Sequence, residues 1–230
     1  MKITQNLFSE DSSCIEETSV SEDKKYCKQN KNTKERILKE VFKLMLTQNI
    51  EKITISVLEK KLNLTRGAIF YYFSNKDEII EMTVQHYITQ INNIFLANPK
   101  SVQKSLESYI NMLNEELQNL VEWLKKEANI LTPNIAFINF YIQGKTYFPF
   151  FQNKIHELLT IEEYNLTQII KNAIKNKEIK EVASPHEIAK IFINIYISIL
   201  FRTNDITKNT IIDKTFLNQQ TKTIYNLLKI

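Results

Sequence analysis

From Thr33 onward apolar side chains recur every three to four positions, with Ile37, Val41, Leu44 and Met45 on one face of a helix that ends near Asn49. Three further starts follow, each with a side-chain oxygen that can accept from an amide one turn on. Thr54 opens a second helix, Thr65 a third, and Ser74 or Asn75 a fourth. Between the second and third, Asn63 sits between two leucines, and Asn tolerates the left-handed backbone a tight turn needs. The fourth helix has Asp77 and Glu78 in its first turn, then Ile80, Val84, Tyr87, Ile88, Ile91, Ile94 and Phe95 on one stripe before a stop near Asn98-Pro99.

Beyond Pro99 the pattern changes to long amphipathic stretches, at Ser101 to Lys126, Phe137 to Tyr147 and Pro149 to Asn176, with a break at Thr132-Pro133. Ser184-Pro185-His186-Glu187 is a capping box with proline in the first helical position, followed by Ala189, Phe192, Ile193, Tyr196, Ile197 and Leu200 on one apolar face. A last helix places Ile212, Phe216, Ile224, Leu227 and Leu228 at compatible spacing. No stretch alternates convincingly as a strand, and two glycines and four prolines in 230 residues suit helices. The expected fold is all-α: a three-helix N-terminal helix-turn-helix unit joined through a fourth helix to a larger helical bundle.

Composition narrows the class. With 43% hydrophobic residues the chain can build one large or two modest cores. It has no apolar run of about 18 residues and no basic start followed by an apolar stretch, so a cytoplasmic protein without membrane contact is expected. Residues 1–30, rich in Ser, Glu, Asp and Lys, read as a flexible polar extension that holds both cysteines, Cys14 and Cys27. Neither a CxxC spacing nor a nearby His supports a disulfide or metal role for them. His86, His156 and His186 fall at no metal-ligand spacing, and no cofactor is expected. A Gly-rich phosphate loop, HExxH and GxSxG are all missing, so no catalytic residue is assigned and the chain is not read as an enzyme.

The net charge is only +4, but Lys31, Lys34, Arg36, Lys39, Lys43, Lys52, Lys60, Lys61, Arg66 and Lys76 outweigh Glu35, Glu40, Glu51 and Glu59 in one segment. Lysine is frequent throughout, so this excess means little alone. It gains weight beside the run Leu62 to Lys76, where a turn, a short aromatic helix and a basic residue form one unit. In a helix-turn-helix the second helix enters the major groove, its N-terminal residues against base edges. Arg66 and Gly67 stand at those positions. Arg66 can pair bidentately with guanine, and the bare Gly67 permits close approach. Thr65, Phe70, Tyr71, Tyr72 and Lys76, with Thr54 and Ser56 at the start of the second helix, are the remaining candidates for DNA contact, Tyr71, Tyr72, Lys76, Thr54 and Ser56 for phosphate.

This run resembles the TetR family of transcriptional repressors over Thr33 to Ile80. The matching residues are Ile37, Leu38, Val41, Leu44 and Met45, Thr54, Ile55, Leu58 and Leu64, Thr65, Gly67, Ala68, Ile69, Tyr71 and Phe73, and Asn75 to Ile79. Three positions depart from the family pattern. Phe70 replaces a usual tyrosine and loses a hydroxyl, Asn63 replaces glycine, and Glu59 replaces a small residue and is expected to swing outward toward Lys60 or Lys61. The resemblance implies a DNA-binding domain at 31–76 and a ligand-binding and dimerisation domain at 77–230. It also implies a homodimer formed through the two C-terminal helices, a pseudo-palindromic double-stranded DNA operator, and release by an apolar or aromatic small-molecule inducer. By the same analogy Trp123, Phe137, Tyr141, Tyr147 and Phe151 would line the inducer pocket, with Gly144 marking a helix break beside it, although aromatic stripes at helical spacing are usually core. Two other readings stay open: a helical ligand-binding or protein-interaction module that has lost specific DNA binding, and an activator rather than a repressor.

Overall fold

The computed structural model describes residues 22–96, 105–130, 133–201 and 214–230. The described residues form α1 (Glu22–Thr47), a 3-10 turn (Ile50–Lys52), α2 (Ile55–Leu62), α3 (Arg66–Phe70), α4 (Lys76–Leu96), α5 (Leu106–Ala128), α6 (Pro133–Tyr147), α7 (Pro149–Lys175), α8 (Pro185–Phe201) and α9 (Lys214–Leu228). The fold is all-α; the single β-type pairing described is one isolated bridge, Ile179 with Lys229. Cys14, Asn98-Pro99, Thr132 and Ile212 lie outside the described residues.

Two expectations shift. α1 begins at Glu22, not after Asn32, so part of the expected polar extension, Cys27 included, is helical. The segment is rich in lysine, glutamine and glutamate, which are good helix formers. In α9 the buried positions are Leu217, Thr221, Tyr225 and Leu228, while Leu227 is 68% exposed. The true stripe runs at every third or fourth residue from Leu217, and Leu227 lies out of phase with it.

Two apolar cores organise the molecule. The larger runs without interruption from α1 to α4 into α5, α6 and Phe151 of α7. The smaller joins the first half of α5 to α7, α8 and α9. At the centre of the larger core Phe42 stacks on Tyr87 (3.6 Å between centroids, 4° between planes) and meets Phe140 edge-on at 5.2 Å. Two helices of the bundle begin on side-chain caps. Ser105 and Ser108 cap each other at the start of α5, and the Glu187 carboxylate accepts from the Ser184 amide (3.0 Å) at the start of α8.

Candidate functional site

The helix-turn-helix is built from local caps. Thr54 Oγ1 accepts from the Val57 amide at 3.2 Å, and Thr65 Oγ1 from the Ala68 amide at 3.2 Å. Asn63 closes α2 in the left-handed region (φ 53°), its amide donating to the Glu59 carbonyl. Arg36 reaches from α1 to donate to the Leu62 carbonyl at 3.3 Å. Asn75 accepts from the Glu78 amide at 2.9 Å and the Glu78 carboxylate accepts from the Ser74 amide. That backbone donor from Ser74 is the main reason the Glu78 carboxyl is held below its usual range.

Ile69 and Phe73 anchor α3, both essentially fully buried. Their burial turns the opposite side of the helix outward. Thr65, Arg66, Gly67, Phe70 and Tyr71 are all exposed, as are Thr54 and Ser56 at the start of α2. Tyr72 and Lys76 are half-buried. Tyr72 meets Tyr71 edge-on at 4.9 Å and packs on the core. A Cβ added at Gly67 would meet nothing within 4 Å, so no contact within the chain requires glycine there. Lys61 pairs with Glu40 of α1 (4.0 Å), not with the half-buried Glu59 as the sequence suggested.

The bundle contains a partly open cavity of about 150 Å³ between α4, α5, α6, α7 and α8. Of the aromatic residues expected to line a pocket, Phe137 and Tyr141 do. Trp123 instead packs against Phe42 and Tyr87 in the larger core. Phe151 is buried edge-on against Phe140, and Tyr147 lies at the surface, its hydroxyl donating to Glu51 at 3.2 Å. Gly144 does not break its helix, because α6 continues to Tyr147. A Cβ there would lie 2.7 Å from the Phe151 ring, so the glycine allows α7 to pack closely. Among the described residues no cluster of three or more His, Cys, Asp or Glu could hold a metal ion, and no helix is long and apolar enough to cross a membrane.

Residues 37–82 match the sequence profile of the family described as bacterial regulatory proteins, tetR family. The helix-turn-helix segment is of the tetR-family type. The whole fold of the chain recurs in transcriptional regulators of that family. One from Chloroflexus aurantiacus is 13% identical with a TM-score of 0.61 (86% of this chain, 95% of that one), and one from Cytophaga hutchinsonii is 16% identical with a TM-score of 0.56 (88% and 97%). A putative transcriptional regulator from Saccharomonospora viridis in complex with choline is 14% identical, with a TM-score of 0.56 (85% and 96%). No curated protein matches the sequence. The match lies on the helix-turn-helix and supports a DNA-binding regulator.

The helix-turn-helix and the bundle are joined by contacts that sequence reading missed. From α6, Gln143 donates to the Met45 carbonyl (2.9 Å) and the Gln48 carbonyl (3.2 Å) and accepts from the Ile50 amide. Asn139, one turn earlier, donates to the Leu46 carbonyl at 3.2 Å. The carbonyls that a helix C-terminus leaves open are therefore satisfied on α1 by a helix of the bundle. Phe137 and Tyr141, on the opposite side of α6, face the cavity. A second link runs through Glu127 of α5, which pairs with Lys39 of α1 (3.0 Å) and accepts from Tyr87 of α4 (3.2 Å). Asparagine and glutamine at i, i+4 on a largely apolar helix, Asn139 and Gln143, were the available sequence signal.

Proposed function

We propose that the protein is a ligand-responsive repressor that binds a pseudo-palindromic operator as a homodimer and is released by a small molecule. The observation that carries the reading is the outward face of α3, where Arg66 and the uncrowded Gly67 lead an exposed aromatic pair, Phe70 and Tyr71. Arg66 reads a guanine edge, Gly67 permits close approach, and Thr54, Ser56, Thr65, Tyr71, Tyr72 and Lys76 hold phosphate. Half-burial of Tyr72 and Lys76 fits hydroxyl and ammonium groups steadied against the protein. We assign DNA reading to residues 31–76 and ligand binding and dimerisation to 77–230. Ile191 of α8 (47% exposed) and Leu227 of α9 (68% exposed) give the two C-terminal helices an apolar outer side suited to a second copy. Two such subunits would set their α3 helices on one face of the duplex.

The cavity is the inducer site in this reading, and α6 is the connection, with Phe137 and Tyr141 on the ligand side and Asn139 and Gln143 on α1. The S. viridis protein of the same fold is in complex with choline, and a small molecule is likewise what we assign to this cavity. A ligand acts only through its different affinities for the DNA-competent and released arrangements.

A gel shift on the gene's own upstream DNA, at two salt concentrations with non-specific competitor, tests the reading. A competitor-resistant, salt-sensitive complex is expected. On that operator Arg66→Ala should lose discrimination at one base position by about 1–3 kcal/mol, whereas Lys76→Ala should weaken all sequences alike and lower the salt slope. Uniform loss in the Arg66 variant would remove its base-reading role.

A further inference from the structure

α3 exposes two side chains, Arg66 and Phe70, with the bare Gly67 between them in sequence. Phe70 follows Arg66 by four residues and Gly67 by three, so the three positions share one face of the helix. The Phe70 ring is 38% exposed, although Ile69 beside it and Phe73 one turn on are buried. Neither apolar core takes it in. Its outward register is fixed by the backbone, where the Ile69 amide donates to the Thr65 carbonyl at 3.1 Å and the Tyr71 amide to the Gly67 carbonyl at 2.9 Å. The ring is therefore displayed from a hydrogen-bonded turn and not from a loop.

A single exposed phenylalanine is ordinary on a protein surface. The company this one keeps is what gives it meaning. A Cβ at Gly67 would meet open space, so a surface laid against this face of α3 comes close to the backbone and reaches the ring one turn further on. Tyr71 and Tyr72, the next two residues, each carry a hydroxyl, and Phe70 has none. A phenyl ring offers no hydrogen bond to a phosphate oxygen or to the polar atoms of a base edge. In the major groove the apolar group on a base edge is the 5-methyl of thymine.

Resting on the reading of α3 as the helix that enters the major groove, we infer that Phe70 sets specificity by packing its ring on the 5-methyl group of a thymine in each operator half-site. Contact removes the ring and the methyl from water together. Cytosine at that position would bring its polar amino group to the ring instead, and would lack the methyl. Four residues of helix separate Phe70 from Arg66 by about 6 Å along the axis. The thymine should accordingly lie within about two base pairs of the guanine assigned to Arg66, since successive bases rise by roughly 3.4 Å.

The full chain can select its own operator from a pool of random-sequence duplexes, and gel shifts can then be run with each thymine of that operator replaced in turn by deoxyuridine. Deoxyuridine pairs as thymine does and lacks only the methyl. One thymine in each half-site should matter, its replacement weakening the wild-type complex by about three- to tenfold. Phe70→Ala should lose about as much on the thymine operator and become indifferent to that replacement, which is the signature of two groups acting on each other. The scan on the wild-type chain needs no variant to fold. A specific complex that is indifferent to every thymine methyl, or a methyl effect that Phe70→Ala leaves intact, would overturn the inference and leave the regulatory reading standing. Failure of the chain to select any sequence would overturn both.

Discussion

The chain has two glycines, one in each functional region, and they serve opposite ends. At Gly67 on α3 an added methyl group would meet open space, whereas at Gly144 on α6 it would press into the Phe151 ring at 2.7 Å. The helix-turn-helix is held from below by its own caps and by Ile69 and Phe73, and keeps its outer face uncrowded. The bundle is crowded at the corresponding point because α6 must touch both α7 and α1. Space demanded by the fold and space left for a partner therefore look alike in sequence and differ only in three dimensions.

Substitutions can break this contrast or sharpen it. The largest effect belongs to the shared aromatic centre. Phe42→Ala should lower unfolding free energy by about 3–5 kcal/mol in urea titrations, while Tyr71→Ala on the exposed face should cost at most about 1.5 kcal/mol yet weaken DNA binding. Similar losses of stability in the two variants would dissolve the distinction. Next come the glycines. Gly144→Ala should destabilise by about 1–3 kcal/mol through overpacking, and Gly67→Ala should leave stability unchanged or raise it by up to about 1 kcal/mol while reducing operator affinity. Gln143→Met preserves bulk but leaves buried carbonyls of α1 without their donor, and a loss of about 1–3 kcal/mol is expected in the same titration.

The smallest effect is a pH dependence. Burial lowers the His86 pKa below its usual 6.5, against a partial opposing pull from Glu35 and Glu127. The unfolded chain takes up a proton there that the folded chain refuses. This contribution to stability is thus complete above 6.5 and is lost as pH falls through the lower, folded value. Thermal melts from neutral to mildly acidic pH should show a fall in Tm that His86→Gln reduces. An identical fall in that variant would place the dependence on other groups. Glu78 and Glu187, both held below 4.5 by hydrogen bonds from Ser74 and Ser184, act in the same direction at lower pH and should persist in the variant.

What could be read from sequence follows the range of the interactions. Thr54, Asn63, Thr65 and the Ser184 to Glu187 box were legible because a cap is complete within four residues. Burial of Ile37, Val41 and Tyr87 was legible because periodicity reports which side of a helix is covered. Periodicity does not report what covers it. Trp123 and Phe151 were therefore placed beside the cavity when they belong to the core between α1, α4, α5 and α6. Leu227 was placed on the inner stripe because an apolar pair, Leu227-Leu228, fits two phases equally well. Gln143 acts on carbonyls 95 and 98 positions away, which no local pattern specifies.

The amides of Asn139 and Gln143 give the helix-turn-helix a dependence on the bundle that bears on how such folds can be recombined. A graft that cut the chain after α4 and joined it to another bundle would carry Thr54, Thr65 and Arg66 intact but leave the end of α1 without its donors. The helix-turn-helix is not a free-standing cassette, and a working chimera has to bring along the inner face of α6.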